Sequence, residues 1–356
     1  MSGVIGHLTY AILGAKAATQ RALPIAPLLS RHQASYLCGA YLGADIQTLP
    51  NGTDVATGLP VGYGTLPSHV TEKNGRAIRP FQLIHLGTPY HSGQLVDLFY
   101  GRSHLTLGWA SKDLSLTVPW DHLPDYAAAV IADAPLVHGP GERPIAYLFG
   151  WIAHIVGDAL IKGVRPGLGM TLLNGLYTPQ NRPIQDLVTF HEIGIKELQL
   201  NWANLLHDVA TVPGEAIQQH YMRSGTRQGL LGQRYPVGWQ PEKEDLLKTL
   251  LEANRWYFPH WIRQLIEQLK LTRNDRGILE CDPSLSQKAG NLSYQDMVRL
   301  AEEAGFRHTL WQIGESIADL FEAIIDIAPD THQWPDPGTP DWMDLTRRWK
   351  ARRPKR

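Results

Sequence analysis

Apolar residues recur at helical spacing along most of the chain. Between residues 5 and 20 they include Ile5, Leu8, Ile12 and Ala15. Positions three and four apart share one face of a helix, so this spacing predicts a helix that packs on one side. Similar patterns cover residues 31–44, 92–101, 121–133, 143–162, 185–210, 244–271, 293–304 and 307–327. Runs of β-branched alternation are nearly absent, so we predict an all-α fold.

Stretches rich in Gly, Pro, Thr and Asn interrupt the helical patterns. They cover residues 43–88, 163–183 and 224–242, and such punctuation predicts loops, with a short hairpin as an alternative in the first. A loop as long as the first is uncommon inside a compact domain and is often functional. Residues 43–88 are therefore a candidate functional segment.

The break at 224–242 is the best candidate for a domain boundary. It predicts a motif-bearing domain over residues 1–223 and a helical extension over residues 224–345. Residues 346–356 end in "RRWKARRPKR", a strongly basic run that we expect to be a disordered tail.

The composition predicts a globular protein without an obvious polyanionic partner. The chain is 43% hydrophobic and 19% charged, with a net charge of −1, which makes nucleic acid an unexpected partner. The two cysteines, Cys38 and Cys281, have no metal-type spacing and suit a reducing compartment. The start has no basic region typical of a signal peptide, and no run reaches the length of a transmembrane helix. We expect a soluble, cytoplasmic protein.

The stretch "AYLFGWIAHIVGDALIKG", residues 146–163, places His154 and Asp158 in an otherwise apolar helix. A helix that is apolar on nearly all sides is normally buried, and burying a polar group without a partner costs about 2–7 kcal/mol. The i,i+4 spacing puts both side chains on one face, where they could close on one metal ion or the carboxylate could bridge two. A buried His–Asp hydrogen bond is the structural alternative.

Three more residues have settings that fit either a metal site or ordinary structure. His7 interrupts the apolar start "IGHLTYAILGAKA", and Asp45 ends the small-residue run "CGAYLGADI". His104 lies in "FYGRSHLTLGW". Taken singly, His7 suits a core histidine, Asp45 a cap of the following turn, and His104 a loop residue.

Together and in this order, these motifs resemble the zinc-dependent phospholipase C family, whose sister branch is the single-strand-specific zinc nucleases. "GHLTYA", "GAYLGADI", "GRSHLTLGW" and "GWIAHIVGDAL" carry the resemblance, which covers roughly residues 3–200. It implies an all-α, multi-helical domain that holds a cluster of up to three zinc ions. It implies as metal ligands His7, Asp45, His104, His154 and Asp158, with His191 as a further ligand. Asp45 would also act as the catalytic base.

The chain departs from the family pattern at several positions. His85 and His91 are alternatives to His104, and the family's histidine shortly after the motif Asp is absent from "ALIKGVRPG". The late motif "TFHEIGIKEL" has Ile195 four residues after His191, so Glu192 and Glu197 are alternatives for its carboxylate. The resemblance therefore predicts one to three zinc ions.

The leading functional prediction is a zinc-dependent phosphoester hydrolase that resembles phospholipase C. Imidazole and carboxylate ligands suit Zn²⁺, and zinc can activate water for attack on a phosphodiester. Phosphocholine lipids, other phosphodiesters and nucleotides are the alternatives for the substrate. The rival prediction is a non-catalytic binding or scaffold protein that retains the fold and a structural zinc.

Overall fold

The computed structural model describes a mostly helical chain. The described residues are 3–42, 141–161, 181–214, Ile217 and 244–327, with short strand segments within 52–91 and five helical residues within 123–131. The helices are α1 (Val4–Gln20), α2 (Ala26–Arg31), α3 (Gln33–Ala40), α4 (Glu142–Ile161), α5 (Asn181–Val188), a π-helix (Thr189–Glu197), α6 (Trp202–Thr211), α7 (Glu244–Leu269), α8 (Pro283–Lys288), α9 (Tyr294–Glu303) and α10 (Phe306–Ile327). The prediction of a mostly helical class is confirmed.

Short antiparallel strands accompany the helices. They are β1 (Gly52–Asp54), β2 (Pro60–Val61), β3 (Glu72–Lys73), β4 (Arg76–Ala77), β5 (Phe81–His85), β6 (Thr88–His91), β7 (Thr272–Arg273) and β8 (Leu279–Glu280). One sheet has the order β2-β1-β5-β6, and β3-β4 and β7-β8 each form a separate pair. The segment predicted as a loop with a short hairpin therefore contains more strand pairing than its composition indicates.

The predicted helices over residues 92–101 and 121–133 fall wholly and mostly outside the described residues. Residues 92–101 lie outside them, whereas residues 121–133 are helical at every described position. Those positions are Leu123, Pro124, Ala127, Ala128 and Ile131.

The single helix predicted over residues 185–210 is instead three elements. It begins as α5, continues as the π-helix, and breaks before α6. Gln199 adopts φ 55° in the break, a left-handed conformation that stops a helix. The Asn201 side chain then accepts a hydrogen bond from the Asn204 N–H at 3.2 Å, capping the start of α6. The prediction of one continuous helix was wrong because these local bonds override the apolar periodicity.

Helix α4 is buried among the other described helices. Its described residues from Pro144 onward are buried, as expected for a helix that is apolar on nearly all sides. It packs against α1, α3 and α10. Its apolar side chains belong to one core that also contains residues of α1, α9 and α10.

Two glycines let α3 and α4 approach until their backbones touch. A Cβ atom at Gly39 would lie 2.0 Å from the Tyr147 carbonyl oxygen, and one at Gly150 would lie 1.7 Å from the Tyr36 carbonyl oxygen. No other residue type fits at either position without separating the helices. The contact brings the C-terminal end of α3 beside the second half of α4.

The C-terminal helices pack on the N-terminal ones. Helix α10 lies against α1 and α4, α9 against α5, and α7 against α6. Arg21, just after α1, forms ion pairs with Glu315 and Asp319 of α10. The predicted boundary at 224–242 and the tail at 346–356 lie outside the described residues, so the division into 1–223 and 224–345 stays a prediction.

Two further features bear on the composition-based expectations. Cys38 and Cys281 are both free thiols. Among the described helices, none combines the length and apolarity needed to cross a bilayer.

Candidate metal centre

Three side chains that can ligate a metal converge inside the helical core. His7 lies on α1, and His154 and Asp158 lie one turn apart on α4. One ligand atom from each of the three lies within 4.8 Å of the others, and all three residues are 0% exposed. This is the one such group of three or more His, Cys, Asp or Glu side chains among the described residues.

The end of α3 fixes the ring of His154. Its Nδ1 atom lies 2.8 Å from the Ala40 carbonyl oxygen. Because a carbonyl oxygen can only accept, Nδ1 carries the proton and donates it, which puts the lone pair on Nε2. A metal-binding histidine is typically held in this way, through a hydrogen bond from its other ring nitrogen.

The spacing of His7 and Asp158 is longer than a close ion pair and fits two ligands of one metal. His7 Nε2 lies 3.5 Å from Asp158 Oδ1. A charge-assisted N–H···O bond is normally about 2.7–2.9 Å long. Two ligand atoms at zinc bond lengths of about 2.0–2.1 Å and a tetrahedral angle lie about 3.3–3.5 Å apart. The observed distance therefore lies in the range expected for two ligand atoms that share one zinc ion.

The two histidine rings stack on each other. Their centroids are 3.8 Å apart and their planes differ by 17°. Histidine binds metals through a neutral imidazole nitrogen.

Two tyrosine rings pack against His7. The Tyr10 ring meets His7 edge-on at 5.7 Å, and the Tyr41 ring lies 6.2 Å from His7. Gly157 allows α1 to sit close to α4, because a Cβ atom there would lie 2.5 Å from Tyr10 Cδ2. These contacts hold His7 next to Asp158.

No family model, curated protein or solved structure matches this chain. The candidate centre must therefore be judged by its own donor set. Two imidazoles and one carboxylate, held together out of solvent, are a set that could hold a divalent metal ion.

The structure brings three of the six predicted ligands together. His7, His154 and Asp158 form the cluster, whereas Asp45 and His104 lie outside the described residues. The alternatives His85 and His91 lie on the paired strands β5 and β6, where only the backbone is described. The ligand roles proposed for Asp45 and His104, and for the alternatives His85 and His91, stay predictions.

His191 lies outside the cluster. Its Nε2 atom donates a hydrogen bond to the Leu269 carbonyl oxygen, 2.6 Å away. Its ring lies edge-on to Phe190 and Tyr294. The structure therefore places His191 in the contact between the π-helix and the C-terminal helices rather than at the candidate metal centre.

The alternative late carboxylates also serve that contact. Glu192 accepts hydrogen bonds from Lys196 and from the Tyr294 hydroxyl. Glu197 accepts from Trp311 Nε1 at 2.9 Å. Both carboxylates thus tie the π-helix to itself or to α9 and α10, and the described cluster contains neither.

We expect His191 to make the fold sensitive to acid. Burial lowers the pKa of His191 from its usual 6.5, so the unfolded chain binds a proton more readily than the folded one. The stability that the neutral ring contributes is present above about pH 6.5 and is lost as the pH falls through the lower, folded pKa. Thermal midpoints at about pH 7.5 and about pH 5.5 should therefore differ more in the wild type than in His191→Gln.

The glutamine variant is a matched control because its amide can still donate to the Leu269 carbonyl oxygen. Burial opposes ionisation of Glu192, but its bonds to Lys196 and Tyr294 lower its pKa overall, below its usual 4.5. It therefore stays ionised over this pH range. An equal pH dependence in wild type and variant would show that His191 does not titrate differently on folding.

Proposed function

We propose that this protein is a zinc-dependent phosphoester hydrolase resembling phospholipase C, built on a multi-helical domain of that kind. One observation carries the proposal: His7, His154 and Asp158, which the motif order predicts as ligands, have ligand atoms within 4.8 Å of one another. The two histidines come from different helices, so chance neighbours along one helix do not explain the cluster.

The chain's own residues would hold the ion and set its charge. His154 is oriented by the Ala40 carbonyl oxygen, and Asp158 supplies a negative charge against a dication. A divalent zinc held there would polarise a phosphoryl oxygen and lower the pKa of water to make a nucleophile. Three protein ligands are the usual number in catalytic zinc sites, which keep one position open. Asp45 and His104 are proposed as further ligands, with Asp45 as the base.

The proposed substrate class rests on the reaction, since water activated by zinc would attack a phosphoester, and not on the shape of a pocket. We propose a phosphodiester, with phosphocholine lipids, other phosphodiesters and nucleotides as candidates.

A structural zinc in a non-catalytic binding protein is the second candidate. The observation that favours it is burial, since all three side chains are 0% exposed. Structural zinc sites are closed and four-coordinate, whereas catalytic sites admit water. Zinc bound without hydrolysis of phosphatidylcholine vesicles or of a simple aryl phosphodiester would select this candidate.

Removal of zinc should lower the stability of the folded protein, and zinc binding itself should require the residues of the cluster. A ligand present at about 1,000 times its Kd stabilises the folded state by about 4 kcal/mol, so treatment with a chelator should lower the thermal midpoint by several degrees. Re-adding zinc should restore it. Elemental analysis should find zinc in the wild type and only background in His7→Gln.

His207→Gln is the matched control, because His207 is exposed on α6 and lies outside the cluster. It should retain wild-type zinc and the wild-type response to chelator. Absence of zinc from the wild type, even after incubation with zinc, would exclude both functional candidates.

A further inference from the structure

Two consecutive residues at the end of α3 touch both histidines of the candidate metal centre. The Ala40 carbonyl oxygen accepts from His154 Nδ1, and the Tyr41 ring lies 6.2 Å from the His7 ring. Tyr41 is completely buried. A shift of this corner, residues 40–41, would therefore move the hydrogen bond of one ligand and the packing of the other.

Helix α7 closes over this corner with aromatic side chains. The Trp261 ring stacks on Tyr41, with centroids 6.0 Å apart and planes within 10° of parallel. Phe258 contacts both rings at about the same distance, 6.1 Å from Tyr41 and 6.0 Å from Trp261. Offset stacking at these separations contributes beyond simple burial and holds the rings in one relative orientation.

We propose that Trp261 is a positioning residue of the metal centre. By stacking on Tyr41 it holds the 40–41 corner, and through that corner it orients His154 and His7. The inference rests on the proposed zinc site. It gives the C-terminal segment, to which the family resemblance does not extend, a role in that site.

A metal ion binds more tightly when its ligands are already held in position. Loss of a residue that orients a metal ligand typically weakens metal binding by about 10- to 100-fold. If Trp261 were merely part of the core, its loss would lower stability but leave the zinc affinity of the folded protein unchanged. Zinc affinity therefore separates the two roles, which stability alone does not.

The test is a competition titration of metal-free protein with zinc and a chromophoric chelator. Trp261→Ala should bind zinc about 10- to 100-fold more weakly than the wild type, and Trp261→Phe should recover most of that loss because it keeps a ring on Tyr41. Trp311→Ala is the matched control. Trp311 is also half-buried, but it contacts Lys16 and Glu197, and Lys16 lies nine residues beyond His7 on α1.

A second measurement does not depend on metal. In the metal-free protein, the His154 Nδ1 proton should give a slowly exchanging imidazole NMR signal, because it is buried and bonded to the Ala40 carbonyl oxygen. This signal should shift or exchange faster in Trp261→Ala, and in Trp261→Leu, which also removes the ring on Tyr41, if the alanine variant fails to fold. It should be unchanged in Trp311→Ala.

The outcomes distinguish the inference from the function on which it rests. Equal zinc affinity in Trp261→Ala and Trp311→Ala, or an unchanged His154 signal, would overturn the role of Trp261 and leave the zinc site standing. A wild-type protein that binds no zinc would overturn the proposed function, and with it this inference.

Discussion

Under the proposed function, Asp158→Asn is expected to lose the zinc that the wild-type protein binds. Asparagine keeps the shape of the side chain but removes the negative charge that would offset a dication held by the cluster. Zinc content should fall to background, and the zinc-dependent part of the stability, about 4 kcal/mol at saturating metal, should be lost with it. Hydrolysis should disappear at the same time. Metal content and thermal midpoint are measured on the same preparation.

His191→Ala provides the contrast for Asp158→Asn. Loss of the bond to the Leu269 carbonyl oxygen should cost about 1–3 kcal/mol, because a buried acceptor loses its donor. Zinc content should stay at the wild-type level, since His191 lies outside the cluster. If Asp158 only accepts a buried hydrogen bond, Asp158→Asn would instead cost about 1–3 kcal/mol and leave metal content unchanged.

Gly150→Ala is expected to be among the most destabilising single substitutions in α4. The new Cβ would lie 1.7 Å from the Tyr36 carbonyl oxygen, so α3 and α4 must separate. Overpacking of a core commonly costs about 1–3 kcal/mol, and a clash with backbone belongs at or above the upper end of that range. Denaturant unfolding with an unchanged m-value would measure the loss.

Gly157→Ala is the matched comparison on the same helix. Its Cβ would meet the Tyr10 ring, 2.5 Å from Cδ2, and a side chain can move more easily than a backbone carbonyl. The loss of stability should therefore be smaller than for Gly150→Ala. A Gly150→Ala protein as stable as the wild type would mean that α3 and α4 do not touch at this crossing.

The helical framework was predictable where periodicity and burial act together. Helices α1 and α4 follow directly from apolar spacing, and Pro144 marks the start of α4 because an N-terminal proline loses no helical hydrogen bond. The break before α6 was not predictable in this way, since glutamine is not a residue type that indicates the left-handed conformation of Gln199. The β7–β8 hairpin did carry a signal in "NDRG", where Gly277 takes φ 74° and donates to the Asn274 carbonyl oxygen.

The candidate site was predictable only in part. His154 and Asp158 stand out because their i,i+4 spacing interrupts an apolar helix, and His7 was added by the family resemblance. Ala40 carries no signal, because its contribution is a backbone carbonyl. The stacking of Trp261 on Tyr41 joins residues 220 positions apart, which no local pattern can indicate.

Diffraction from crystals of the zinc-loaded protein, recorded above and below the zinc absorption edge, tests the central claim most directly. We expect an anomalous peak bonded to His154 Nε2, His7 and the Asp158 carboxylate, at about 2.0–2.2 Å from each ligand atom. His154 Nδ1 should remain bonded to the Ala40 carbonyl oxygen. No zinc peak at these three residues, or a zinc ion bound elsewhere while Asp158 contacts only His7, would contradict that claim.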